Sequence, residues 1–339
     1  MASTSLLFCF LVSGVLSADE TLEEIEAAGK NKLNELVQRI DDKSYVKFSG
    51  SYTPWLVNWK QKSTSASRFD QDAISVNYAI EDSIAHSAKL SIDILTIEFD
   101  LEVIDVPETN ESSADNSLSA LNMGLNFTEL VGDTYMSYHY TGVKFKGAIF
   151  GDDNQGRTGT GKFETDANTH EVLINTHFGL GIGYRDFSYD LPQDIYLIHS
   201  TNPNTSLFSG FANVEYTAGF YMARFNNSNL FQAQSDELQI GTNIAYGIGK
   251  MEVGGDFITG IKSELNTDLV GDADASILEI NIYGIMPFFT GYGFTTYLTA
   301  GYKSEVITAE YAELEGYSLV TDFETSFSGP YLTLSFSWQ

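Results

Sequence analysis

Residues 331–339 read YLTLSFSWQ, a stretch in which a large apolar side chain recurs at every second position. Apolar and polar residues alternate through it: Leu332, Leu334, Phe336 and Trp338 with Thr333, Ser335 and Ser337. Successive side chains of a β-strand point to opposite faces. The stretch therefore predicts a strand with one apolar face and one polar face.

The same period of two recurs along most of the chain. Its longest examples are residues 172–184, 238–248, 278–286 and 292–302, and shorter ones are residues 74–80, 90–94, 97–103 and 211–222. Polar, glycine-rich stretches lie between many of them, at residues 152–161, 226–236, 266–274 and 314–316. The pattern predicts one all-β domain over residues 45–339, with about 12–16 antiparallel strands.

Two architectures produce this alternation, a water-soluble sandwich and a transmembrane barrel. Several segments run for about ten residues or more, which is the length that crosses a bilayer at a tilt, whereas typical strands have about 5–6 residues. The polar faces are rich in Gly, Ser, Thr and Asn, and aromatic residues such as Trp55, Tyr184 and Tyr302 lie near segment ends. These features favour an antiparallel transmembrane β-barrel, and a soluble secreted β protein is the alternative.

The first 44 residues have a different pattern. Residues 1–18, MASTSLLFCFLVSGVLSA, combine a short apolar run with small residues, which is typical of a secretory signal peptide. The apolar run is far shorter than the roughly 20 residues of a transmembrane helix. Residues 19–44 predict one amphipathic helical segment, with Leu33, Leu36, Val37 and Ile40 on one face. The only cysteine, Cys9, lies in the predicted signal peptide.

The C-terminal strand resembles that of bacterial outer-membrane β-barrels, which end in an amphipathic strand with a terminal aromatic residue. Here Trp338 is penultimate and Gln339 follows it. A signal peptide, a short acidic helix and the aromatic strand at residues 45–50 also look like the start of some porin-like proteins. The resemblance implies a Gram-negative outer membrane, contact with its lipid, insertion by the barrel assembly machinery, and possible homo-oligomers.

Charge excludes some partners. The chain has 46 acidic and 18 basic residues, a formal net charge of -28. Nucleic acids and anionic lipid surfaces are bound through clustered Lys and Arg, so neither is expected as a partner. No HExxH, Cys–His or GxSxG pattern occurs, and we therefore predict no catalytic residue, metal or cofactor. A barrel hydrolase with a Ser, His or Asp cluster at one rim is a further alternative.

An apolar exterior turns the ionisable strand residues toward the lumen. Residues 97–103 place Ile97, Phe99, Leu101 and Val103 outward and the acids between them inward. The predicted lumen residues are Asp93, Glu98, Asp100, Glu102, Arg185, Glu215, Glu252, Asp256 and Glu279. An acid-rich lumen concentrates cations, which predicts a porin-like channel for small hydrophilic solutes that favours cations.

A second function is compatible with the same residues. The lumen acids can pair with lumen cations, for which Lys89, Lys262 and Lys303 are candidates on the same side as the acids. The barrel would then be filled and non-conducting, with a structural or adhesive role in which its loops bind ligands.

Overall fold

Twelve β-strands make up the described part of the chain. The structure is a computed structural model that describes residues 46–338 apart from residues 66–73, 95, 107–116, 132–133, 154–155, 177, 200–206, 228–237, 256–271, 292–293 and 312–321. The predicted signal peptide and helical segment, at residues 1–18 and 19–44, lie outside the described residues. Among the residues that are described, no helix is long and apolar enough to cross a membrane.

The strands are 10 to 21 residues long. Their bounds are β1 Val46–Ser65, β2 Ile74–Ile94, β3 Ile97–Val106, β4 Ser117–Val131, β5 Thr134–Asp153, β6 Arg157–Thr176, β7 Leu180–His199, β8 Leu207–Asn226, β9 Gln239–Gly254, β10 Asp272–Gly291, β11 Phe294–Tyr311 and β12 Asp322–Trp338. Lengths of this kind suit a tilted strand that crosses a bilayer and continues beyond it.

The sheet closes on itself. Neighbouring strands are antiparallel, and the first strand pairs with the last, with Phe48 opposite Trp338. The predicted antiparallel barrel is therefore confirmed, with a strand number at the lower end of the predicted range. We call the end of the barrel that carries Val46 and Trp338 the terminal end, and the opposite end the loop end.

The β3–β4 hairpin spans only part of the height of the wall. The second half of β2 pairs with β3, from His86 opposite Asp105 to Ile94 opposite Ile97. The first half of β2 pairs directly with β5, with Tyr78 opposite Ile149. The wall therefore has twelve strands at the terminal end and ten strands at the loop end.

Two predicted boundaries are wrong. The uninterrupted alternation at residues 172–184 is a hairpin, because β6 ends at Thr176 and β7 begins at Leu180. Gly179 makes this turn with a φ of 79°, a left-handed conformation that favours glycine. The predicted turn at residues 152–161 is reduced to residues 154–156, and the flanking strands have 20 residues each.

The outer wall has an apolar belt at the terminal end. We define the belt as the outward side chains of residues 46–56, 84–94, 97–103, 121–127, 134–142, 172–176, 180–184, 219–225, 238–248, 278–286, 294–306 and 330–338. None of these outward side chains is Asp, Glu, Lys or Arg. The outward face of the C-terminal strand, including Leu332 and Trp338, belongs to the belt as predicted.

Beyond the belt, the same strands reverse their polarity. On β7 the outward side chains change from apolar to polar along the strand: Leu180, Ile182 and Tyr184, then Asp186, Ser188 and Asp190. The inward side chains change the other way: Gly181, Gly183 and Arg185, then Phe187, Tyr189 and Leu191. We call this second region, formed by the loop-end parts of β1, β2 and β5–β12, the collar.

Candidate functional site

The interior of the barrel holds most of the residues that the sequence predicts as functional. On β3, Glu98, Asp100 and Glu102 point inward, while Phe99 and Leu101 are 50% and 46% exposed on the outer wall. Asp93 lies nearby on the inward face of β2, close to the terminal end. These four acids form one side of the belt interior.

Hydrogen-bond donors from adjacent strands surround these acids. Lys89 Nζ lies 3.0 Å from Asp100 Oδ2, and the hydroxyl of Ser91 also donates to Asp100. Glu102 accepts from Ser87 and, at 2.8 Å, from the amide of Asn122. Glu98 accepts from the amide of Asn126 at 3.2 Å, so three of the four acids are engaged with other wall side chains.

An ion-pair network crosses the middle of the barrel. Arg185 contacts Glu171 at 2.6 Å and Glu305 at 2.9 Å, and it also contacts Glu279. Arg224 contacts Glu171 at 3.2 Å and Glu279 at 2.8 Å. The five residues come from β6, β7, β8, β10 and β11. The side chains of both arginines, Glu171 and Glu279 are at most 16% exposed, so this network is largely removed from water.

Three members of this network, Glu171, Arg224 and Glu305, were not predicted from the sequence. Each of them is an even number of positions from an inward residue on its own strand, and this alternation could have identified them as inward. Parity does not show that five strands bring them together, because the register between strands decides which inward side chains meet.

Aromatic residues mark the boundary between the network and the collar interior. The ammonium of Lys303 lies 3.4 Å from the centroid of the Trp55 ring, a cation–π contact. On β12, which lies between the strands of Trp55 and Lys303, the hydroxyl of Tyr331 donates to Asn281 at 2.9 Å.

The collar interior is an apolar core. One group of rings surrounds Trp59, whose centroid lies 5.0 Å from that of Phe145 and 5.6 Å from that of Phe163. A second group surrounds Tyr216, which lies 5.4 Å from Tyr189 and 4.9 Å from Phe323. Tyr216 and Phe323 are each only 1% exposed. Side chains that line a water-filled channel remain accessible to water, so these rings fill the collar.

Two predicted lumen residues point away from the lumen. Glu215 and Glu252 point outward on the collar, and both are exposed. The prediction that they face inward is wrong, because it assumed an apolar exterior along the whole strand, whereas the collar has its apolar face inside. Asp256 lies outside the described residues. Arg185 and Glu279 are inward and belong to the ion-pair network.

Among the residues that the structure describes, no group of three or more His, Cys, Asp or Glu is placed to hold a metal ion. His139 points inward beside Gly124, and His170 points outward and contacts the hydroxyl of Tyr138 at 2.8 Å. The described interior residues instead form ion pairs within the belt and an apolar core within the collar.

A closed antiparallel barrel with an uncharged apolar belt outside and polar side chains within the belt defines a transmembrane β-barrel. No protein-family model and no curated protein matches the sequence.

Solved structures with a similar arrangement include the outer-membrane protease OmpT from Escherichia coli, at 7% identity over 87% of this chain and 96% of that one, with a TM-score of 0.34. The translocator domain of the autotransporter NalP from Neisseria meningitidis is 11% identical over 95% of this chain and 100% of that one, with a TM-score of 0.34. The toluene transporter TodX from P. putida is 7% identical over 87% of this chain and 90% of that one, with a TM-score of 0.34. Similarities this low carry no argument about activity.

Proposed function

We propose that this protein is an outer-membrane barrel that is closed to hydrophilic solutes and holds its collar and loops at the cell surface. The observation that carries the proposal is the core of buried rings and aliphatic side chains inside the collar, which includes Tyr216, Phe323 and Leu191. A filled interior is compatible with a structural or adhesive barrel, whereas a passive pore needs a continuous path for water.

The outer surface supports a membrane location for the belt and an aqueous one for the collar. A Lys or Arg on the lipid face costs about 2–4 kcal/mol at the bilayer midplane, and the belt has none. The outward charges of the collar include Lys144 and Asp166, which approach to 3.6 Å, and Lys146 and Glu164, which approach to 3.5 Å. Such exposed charges suit water, so the collar would project beyond the bilayer.

The loop end would be the extracellular end. In barrels of this class the turns on the periplasmic side are short and the loops on the outside are longer. At the terminal end, four of the five connections have two or three residues and the fifth, residues 227–238, has twelve. At the loop end, four of the five connections have seven to seventeen residues: residues 66–73, 200–206, 255–271 and 312–321. The collar and these longer loops would therefore meet molecules outside the cell.

The cation-preferring pore predicted from the sequence has less support. Two of its proposed selectivity acids are paired with cations: Asp100 with Lys89, and Glu279 with Arg185 and Arg224. A negative potential requires uncompensated acids along an open path. The cation-preferring pore stays a prediction. One conductance experiment tests both the pore and the closed barrel.

Conductance of the refolded chain in a planar bilayer under a KCl gradient tests the proposal. We expect no discrete steps from the unchanged protein, once heat-shifted gel migration has verified a folded barrel. The double variant Tyr216→Ala with Phe323→Ala removes two rings from the collar core and should produce steps if these rings close the path. Tyr221→Ala removes an exposed ring from the outer wall and should remain silent. Cation-selective steps from the unchanged chain would restore the pore.

A further inference from the structure

A groove on the outer wall begins in the belt and ends in the collar. Its lower part, of about 600 Å³, is almost entirely apolar and includes Val172, Ile182 and Ala223. Its upper part, of about 830 Å³, adds charged and hydroxyl side chains to an apolar floor: Lys62, Lys250, Asp274, Ser276, Thr308, Glu310 and Glu324. Tyr221, Tyr246 and Ile248 line both parts, so the two are continuous.

The tilt of the strands explains the course of the groove. Directly opposed residues form one outward row across eight strands: Val172, Tyr184, Tyr221, Ile248, Ser276, Thr308, Glu324 and Lys62. Strands of a barrel are inclined to its axis, so a row of opposed residues climbs as it passes around the wall. The row therefore starts at apolar side chains in the belt and reaches charged side chains in the collar.

At the upper end of the groove, one basic side chain and two acidic side chains lie on three successive strands. Lys250 Nζ lies 2.5 Å from Asp274 Oδ1, and Asp274 is directly opposite Glu310 on the next strand. Adjacent like charges across a sheet are unfavourable. Lys250 compensates part of this charge from the side of Asp274, and a second cationic group between Asp274 and Glu310 would further relieve their repulsion. An ammonium has three N–H donors, so Lys250 can hydrogen-bond an anionic oxygen while it contacts Asp274.

We propose that this groove binds one phosphatidylethanolamine molecule, a lipid whose head group has a primary ammonium beside its phosphate. The acyl chains lie on the apolar lower part, continuous with the lipid-facing belt. The phosphate is bound by Lys250, and the ammonium donates to Asp274 and Glu310. The proposal rests on the membrane location proposed above, but it is independent of whether the barrel conducts.

Native mass spectrometry of the refolded full chain tests this inference. The folded barrel in detergent micelles is incubated with equal amounts of phosphatidylethanolamine, phosphatidylcholine and phosphatidylglycerol that have the same acyl chains. We expect one retained phosphatidylethanolamine with about tenfold preference, the ratio that about 1.4 kcal/mol gives. Phosphatidylcholine cannot donate from its quaternary ammonium, and phosphatidylglycerol has no ammonium.

Matched variants locate the site. Asp274→Asn with Glu310→Gln should make the retention of the three lipids nearly equal. Asp190→Asn with Glu215→Gln removes another directly opposed acid pair on the collar, outside the groove, and should keep the preference. Ala223→Trp fills the lower groove and should reduce retention of all three lipids, whereas Ala300→Trp, elsewhere on the belt, should not.

Several results would overturn the assignment. They are equal retention of the three lipids by the unchanged protein, no retained lipid, preference for phosphatidylglycerol, or equal losses in the groove and control variants. Displacement of phosphatidylethanolamine by an added phosphorylated glycolipid at lower concentration would assign the groove to that lipid. Because these results are read from folded barrels, they are separate from the conductance test of the proposed function.

Discussion

The belt and the collar are built from the same strands but have opposite polarity. On β7, Ile182 is 68% exposed on the belt exterior, while Leu191 is fully buried inside the collar. Within the belt the interior holds charged residues such as Arg185, and on the collar the charged residues such as Asp190 are outside. Alternation is continuous along the strand, yet the side that is apolar changes.

The difference follows from the medium that each region meets. Lipid makes an apolar exterior favourable in the belt, so the polar residues turn inward and must pair with one another there. The collar has a charged exterior, which suits water, and its apolar side chains are buried as in a soluble protein. One wall therefore combines the polarity of a membrane barrel with that of a soluble barrel.

The largest effect is expected for Arg185→Ala in the belt interior. It leaves Glu171 and Glu279 with Arg224 alone and removes the arginine contact of Glu305. Breaking a buried pair in this way costs about 3–5 kcal/mol. Chemical unfolding in lipid vesicles, followed by tryptophan fluorescence, measures the free energy. A loss below about 1 kcal/mol would mean that the network is solvated and not a buried unit.

A loss of similar size is expected in the collar interior. Phe220 is fully buried at the belt end of the collar core, where it stacks on Phe187. Phe220→Ala should destabilise the barrel by about 3–5 kcal/mol through lost burial and a cavity. Tyr221→Ala, at the next residue, removes an outward ring that is 73% exposed and should have a much smaller effect. Equal losses in the two variants would contradict the description of the collar as a packed core.

A smaller effect should separate the two exteriors. Ile182→Lys puts a charge in the middle of the belt on β7 and should cost about 2–4 kcal/mol in vesicles. Ser188→Lys, on the same outward face but in the collar, should change the free energy by at most about 0.5 kcal/mol. The same unfolding measurement checks both variants. If Ser188→Lys were as costly, the collar would also lie in lipid.

The smallest effect is expected for the exposed ion pairs of the collar. Lys146→Ala should cost about 0–1 kcal/mol, because the pair with Glu164 is largely exposed and screened by salt. Unfolding at low and high salt measures this contribution, which should decrease as salt is raised. A contribution that is large and independent of salt would place this pair in a buried environment.

Part of this molecule could be predicted from its residues alone. The alternation at residues 331–338 and 97–103 shows which side chains share a face, and the exposed Leu334 and the inward Glu98 follow from it. Other features could not be predicted. The hairpin at Gly179 does not interrupt the alternation of apolar and polar residues. Glu215 and Glu252 alternate with apolar residues just as the lumen acids do, although their side chains are on the outer wall.

The sequence by itself determined the all-β class, the two faces of each strand and the amphipathic character of the C-terminal strand, because side-chain alternation is a local property of an extended backbone. Only the tertiary structure decided which face is inside at each height, since that depends on closure of the sheet and on the surrounding medium. It also brought Glu171, Arg185, Arg224, Glu279 and Glu305 together, because contacts between five strands are set by their register.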